Sequence, residues 1–299
     1  MACFYEKIIF FYYACFFLLQ ASNVAAYEHY FMEHHQGPII MALGTAYTAG
    51  NQLDDVIYTN PAAMTSLSFK HLSFYSLSII EADLLGINMV FPNSIPYFSF
   101  GFGYKSFLLD GFKPNYLKDG YLVSQSGEVV YKAEIFSLSL ARDISQNLSV
   151  GWTGSYYREH FFSRYQRAMI SHFAFLYRDF YRMNVGLSLN QLFSPSVTWA
   201  RQGYNNLLES VIKIGFSYPI SDQHIVYGDV NLKDAGYSFG FQKEVFSFLH
   251  LYLGYKKNKS AYYSCGFSVE FSLFSVSISY MPYVNDLKDQ TFNFSFSFR

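Results

Sequence analysis

From Phe69 to its end the chain alternates apolar residues with small or polar ones, again and again. Phe98, Phe100, Phe102 and Tyr104 share one face of such a run, with Ser99, Gly101, Gly103 and Lys105 on the other. Met183, Val185, Leu187 and Leu189 oppose Asn184, Gly186, Ser188 and Asn190. Tyr237, Phe239 and Phe241 oppose Ser238, Gly240, Gln242 and Glu244. Further on, Tyr263, Cys265, Phe267, Val269 and Phe271 oppose Ser264, Gly266, Ser268, Glu270 and Ser272. The last run sets Phe292, Phe294, Phe296 and Phe298 against Thr291, Asn293, Ser295 and Ser297. A period of two with one apolar face is strand behaviour. A small, polar second face is what the interior of a membrane barrel presents. This phase makes Phe100→Arg damaging and its neighbour Gly101→Ser tolerable.

Fainter alternation over 72–80, 84–91, 136–140, 148–156, 169–177, 208–218, 226–232, 249–255 and 274–282 fills the gaps. The least regular are 134–140, where charges interrupt the face, and 226–232, where Asp229 must point inward. The total is about fourteen strands, an even number as single-chain bacterial barrels prefer, most near the roughly 9–11 residues of a tilted membrane strand. With the N-terminus periplasmic, long outer connections are expected at 106–128, 158–167, 193–206 and 283–290. Short inner turns are expected at 92–96, 142–147, 219–223 and 272–273. Long outside and short inside is the usual asymmetry, although the outer connections near Ala82, Lys233 and Lys257 are short as well.

Composition sharpens this picture. Aromatic residues make up 21% of the 299 residues and charged ones only 14%, too few to clothe a water-soluble surface of this size. No later stretch is apolar for long enough to form a membrane helix. A net charge of −1 gives no basis for binding nucleic acid. Residues 1–26 read as a secretory signal: Lys7 in the n-region, an apolar core over 8–19, and Val24-Ala25-Ala26 before the cut. Cleavage would remove Cys3 and Cys15 and leave Cys265 alone, which excludes a disulfide framework. Residues 27–67 would then precede a barrel over 68–299. His29, His34 and His35 cluster in a polar stretch, but nothing completes a metal site, and no cofactor is implied.

Residues 37–67 break the alternation. They are rich in small residues, carry the adjacent acids Asp54 and Asp55, and end in an Asx-Pro turn at Asn60-Pro61. Ala42-Leu43-Gly44-Thr45-Ala46-Tyr47-Thr48-Ala49, then Asp54-Asp55, then Tyr58-Thr59-Asn60-Pro61-Ala62-Ala63 resembles the N-terminal signature of the FadL-type outer-membrane channels, which shorter PorV-like relatives share. The resemblance implies an all-β fold: a transmembrane antiparallel barrel of fourteen strands in the bacterial outer membrane, with 27–67 as a hatch inside the lumen. The turn Asn60, Pro61 and Ala62 would rest on the wall. It implies passive uptake of hydrophobic small molecules, fatty acids foremost, with outer-membrane lipid around the barrel. The chain departs from the family in being short and in ending in Arg299 after Phe298.

No nucleophile elbow, phosphate loop or nucleotide fingerprint appears, so an enzyme is not indicated. The lumen-facing ionisable residues Lys105, His172, Arg178, Lys213, Glu244 and Glu270 are candidate ligand contacts. A cation among aromatic walls could hold a fatty acid carboxylate by a charge-assisted hydrogen bond. The plainer alternative is that these groups pair with one another or meet water. Two other roles fit the same pattern: a PorV-like docking component with secretion-system proteins as partners, and a structural or adhesive surface barrel.

Overall fold

A computed structural model describes residues 37–50, 55–79, 82–95, 97–112, 115–118, 121–124, 129–161, 164–192, 197–198, 205–206, 210–258, 261–282 and 290–298. The expected signal segment, the three clustered histidines, Asp54, Arg299 and the 283–289 connection lie outside the described residues.

Fourteen antiparallel strands close into one barrel. The first five are β1 (His71–Ile79), β2 (Ala82–Ile95), β3 (Phe98–Phe112), β4 (Val129–Asp143) and β5 (Leu148–Phe161). Then come β6 (Arg164–Phe180), β7 (Met183–Leu192), β8 (Val211–Ser221), β9 (His224–Asn231) and β10 (Tyr237–Phe246). The wall ends with β11 (Leu249–Lys257), β12 (Ala261–Glu270), β13 (Phe274–Pro282) and β14 (Gln290–Phe298). Each strand pairs with its neighbours in the chain, and β1 closes on β14 from Leu72↔Phe298 to Ser78↔Phe292. Closure leaves no unpaired edge, so the backbone of the wall is satisfied from within.

The strand phase follows the alternation. Phe102, Phe294 and Leu253 point outward and are exposed, whereas Ser99, Ser139, Ser188 and Ser295 point inward and are buried. An outward belt of this kind is what a bilayer solvates. At the lower end, where β1 begins and β14 finishes, Tyr97, Tyr181, Ile220, Phe248 and Leu273 ring the rim in the open. Phe100 stands on the outward face only two residues above the lower start of β3, so Phe100→Arg is expected to cost only about 0–1 kcal/mol; Phe102→Arg, nearer the midplane, is expected to cost about 2–4 kcal/mol. Loss of heat-modifiable gel migration would report the Phe102 change; unchanged migration there would put the phase wrong by one residue.

The companion expectation is corrected. A Cβ at Gly101 would stand 2.6 Å from Ile57 Cγ2 and 2.8 Å from Met64 Sδ. Gly101→Ser therefore has to displace the segment inside the barrel, and it is not a silent change.

The wall is also taller on one side than the alternation indicates. β2 to β6 run 14 to 17 residues, and the other nine strands 8 to 11. Much of the expected connections at 106–128 and 158–167 is strand, since β3 reaches Phe112 and β5 and β6 run to Phe161 and from Arg164. These upper extensions carry polar and charged residues on the outward face, which hides the period. Two short hairpins lie at the upper end, Asn115–Lys118 with Tyr121–Ser124 and Val197–Thr198 with Asn205–Asn206. The lower turns are short as expected, with β4 and β5 joined over 144–147 and β12 and β13 over 271–273.

Candidate functional site

The described residues of 37–67 lie inside the barrel, all buried except the half-buried Tyr58 and Ser66. A single-turn helix, α1 (Pro38–Ala42), starts on Pro38, whose missing N–H costs nothing in a first turn. The chain reverses at Gly44 and Thr45, both at positive φ. A second turn, α2 (Val56–Thr59), follows Asp55, and a 3-10 helix spans Pro61–Ser66. Asn60 ties three parts together. Its Oδ1 accepts from the Ala62 N–H at 3.0 Å, and its Nδ2 donates to the Thr48 carbonyl at 2.6 Å and the Phe175 carbonyl at 3.2 Å. One side chain thus caps its own turn, holds the upstream half of the segment and reaches the wall.

The small residues of this segment and the glycines of the wall meet backbone to backbone. A Cβ on Gly186 would come within 2.1 Å of the Thr48 carbonyl oxygen, and one on Gly151 within 2.3 Å of the Ala62 nitrogen. Inward hydroxyls cover the carbonyls left over: Thr153 donates to Ile57, Ser217 to Ala49 and Ser264 to Ala42, at 2.8, 3.0 and 3.0 Å. Buried backbone without such partners would be costly.

Two buried carboxylates fix the segment reciprocally. Asp55, on the segment, accepts from the Gly37 N–H at 2.6 Å, from Lys105 of β3 at 3.2 Å and from the Asn88 amide of β2. The Lys105 ammonium also sits 3.7 Å over the Tyr58 ring. On the far wall Asp229 accepts from the Tyr47 N–H at 3.0 Å, the Thr48 N–H at 3.0 Å and the Thr48 hydroxyl at 2.6 Å. Charge-assisted bonds in a dry site are the strong kind.

The six ionisable candidates do not converge. Lys105 is taken up by Asp55. His172 is buried against the Ser188 hydroxyl at 3.0 Å. Arg178 lies low in the barrel, donating to Asp143 at 2.6 Å and to Ser66 at 3.3 Å. Lys213 lines a cleft of about 30 Å³ near the upper rim with Thr45, Asp229 and Tyr237. Glu244 is half-buried at the lower end, and Glu270, also low, stands 3.5 Å from His250. Asn60, Pro61 and Ala62 are all buried between the segment and β5 and β6. Among the described residues no group of three His, Cys, Asp or Glu could hold a metal ion. Asn88 is an anchor that the alternation does not single out, and Asp229, marked by it only as an inward charge, is the other. Their signal is a polar or charged inward residue set among apolar neighbours.

Above the segment the lumen changes character. Tyr75, Leu77, Leu84, Ile135, Tyr157 and Ile170, inward on the upper parts of β1 to β6, form one buried apolar cluster. Tyr58 and Phe107 pack against it. The upper interior on the tall side is therefore largely apolar and aromatic, with one buried carboxylate, Glu159, accepting from the Tyr157 hydroxyl at 2.8 Å. Beneath the segment a cavity of about 310 Å³ opens at the lower end, lined by Arg178, Arg182, Asn184, Ser217 and Tyr227 among others.

No protein-family model matches the chain, and no curated protein matches its sequence. Solved structures do match. The CymD monoaromatic hydrocarbon channel superposes with a TM-score of 0.64 at 15% identity, covering 88% of this chain and 96% of that one. The Pseudomonas putida toluene transporter TodX gives 0.63 at 10% identity, over 92% and 98%. A Pseudomonas aeruginosa FadL homologue gives 0.56 at 9%, over 88% and 98%. The chain has the fold of the FadL-type outer-membrane transporters.

Proposed function

We propose that this protein is an outer-membrane channel for passive uptake of small hydrophobic molecules, with residues 37–67 as its hatch and the upper end outermost. The observation that carries the reading is the apolar cluster of the upper lumen, directly above the segment. A solute shedding water there gains about 25 cal/mol for each Å² of apolar surface buried. Two fold neighbours, a monoaromatic hydrocarbon channel and a toluene transporter, support the same class. Within it, neutral hydrocarbons fit better than fatty acids. The cation that would hold a carboxylate at mid-height, Lys105, is already paired with Asp55. Asn60, Pro61 and Ala62 would keep the hatch seated between substrates.

Binding in mild detergent tests the choice of ligand. An alkylbenzene is expected to bind at least as tightly as a fatty acid of similar length. Tighter binding of the fatty acid than of the alkylbenzene would assign the site to carboxylates instead. A stable protein partner recovered with the barrel, and no ligand bound, would favour the secretion-docking role.

A further inference from the structure

The outward face of β3 to β6 changes abruptly near the upper end. Tyr104, Phe136 and Tyr156 form an aromatic row across three neighbouring strands, with the Tyr104 and Phe136 rings 4.9 Å apart. The next row up is Ser106, Glu134, Arg158 and Arg167, paired in that order across four strands. Glu134 is nearly buried there: it accepts from Tyr104 at 2.7 Å and from Arg158 Nε at 2.6 Å, and it lies 3.2 Å from Lys132. Arg158 also stands over the Phe136 ring at 5.8 Å. The Arg158 and Lys132 side chains remain 52% and 43% exposed.

Arg158 and Arg167 face each other directly across β5 and β6. Like charges opposite one another destabilise a sheet unless a negative charge lies between them. Glu134 offsets one cation only, and Arg167 is exposed with no ion pair among the described residues. Among the described side chains the patch holds three cations against one acid; Asp83, two strands from Lys132 in the row above, still leaves it positive. Its height is informative. Arg158 lies ten residues beyond Leu148, the lower start of β5, or roughly 25 Å along the barrel axis at the usual rise and tilt. An apolar belt is about 25 Å tall, so the cations stand at its upper edge, just above an aromatic girdle.

We propose that Arg158 and Arg167, backed by Lys132, bind a phosphate group of a lipid in the outer leaflet. Guanidinium forks match phosphate oxygens two at a time, and a phosphate between the two arginines removes their repulsion. The site looks outward over the apolar belt, so the bound molecule carries acyl chains that run down the wall beside Phe136 and Met169. This inference rests on the outer-membrane reading above, and not on the transported solute.

Native mass spectrometry of the detergent-purified barrel tests it, using bis-phosphorylated glycolipid (lipid A), its dephosphorylated form and inorganic phosphate. The wild type is expected to retain the phosphorylated lipid. Arg167→Gln should weaken retention about tenfold and Arg158→Gln/Arg167→Gln further, with heat-modifiable migration intact. Arg182→Gln at the lower rim should change nothing. Equal retention of phosphorylated and dephosphorylated lipid by the wild type overturns the proposal without recourse to any variant. Inorganic phosphate binding as tightly as the lipid overturns it too, by assigning the arginines to a free ion. Lipid retention by a protein that passes no hydrocarbon counts against the channel reading alone.

Discussion

Lys105→Met is expected to loosen the inner segment by about 3–5 kcal/mol, because it strands the Asp55 carboxylate in a dry site. The two side chains are only 5% and 0% exposed, so water cannot replace the lost ammonium. The Gly37 N–H and the Asn88 amide still donate to Asp55, but neither brings a charge. The wall closes through its own strand pairing and should survive. Protease protection of the segment should fall, and small solutes should leak through reconstituted protein, while heat-modifiable migration persists. Asp55→Asn/Lys105→Met removes both charges and should recover much of the protection. A Lys105→Met protein as protected and as tight as the wild type would mean that this pair does not hold the segment.

The second large effect is expected from Asp229→Ala. That change leaves the Thr48 N–H and the Thr48 hydroxyl without their acceptor, while the Tyr47 N–H keeps a second one in the Thr45 carbonyl at 3.1 Å. Each buried donor so stranded costs about 1–3 kcal/mol, so the total should come to about 2–6 kcal/mol. Asp229→Asn keeps one acceptor oxygen and should fall between. The two anchors share no partner, and their effects on protection should therefore add. Hydrogen exchange at the Tyr47 and Thr48 amides checks the prediction locally. Unchanged exchange in Asp229→Ala would show that this contact does not restrain the segment.

The wall was legible because a lipid-facing strand must alternate and has few ways to disguise it. Phe98 to Tyr104 and Phe292 to Phe298 show this most plainly. Above the apolar belt that constraint lapses, and the upper ends of β3 to β6 read as loop because Lys132, Glu134 and Arg158 sit on the outward face. The inward glycines were legible as small lumen residues, but their cause was not. Gly151 and Gly186 are small because the backbone of another segment lies against them, a contact far away in the chain. Asp229 was visible as an awkward inward charge, while its partners at Tyr47 and Thr48 are more than 180 residues away. The ionisable candidates were chosen by facing direction alone, which cannot tell Lys105, paired at mid-height, from Glu270 near the lower rim.

The measurement closest to the central claim is uptake of a labelled alkylbenzene by whole bacterial cells, whose glycolipid leaflet slows hydrocarbon entry. Cells carrying the wild-type barrel should take it up faster than cells lacking it. Ile135→Asp, which sets a carboxylate into the apolar upper lumen, should lose most of that gain at equal folded protein. A correctly folded wild-type barrel in the outer membrane that leaves uptake at the background rate would contradict the account.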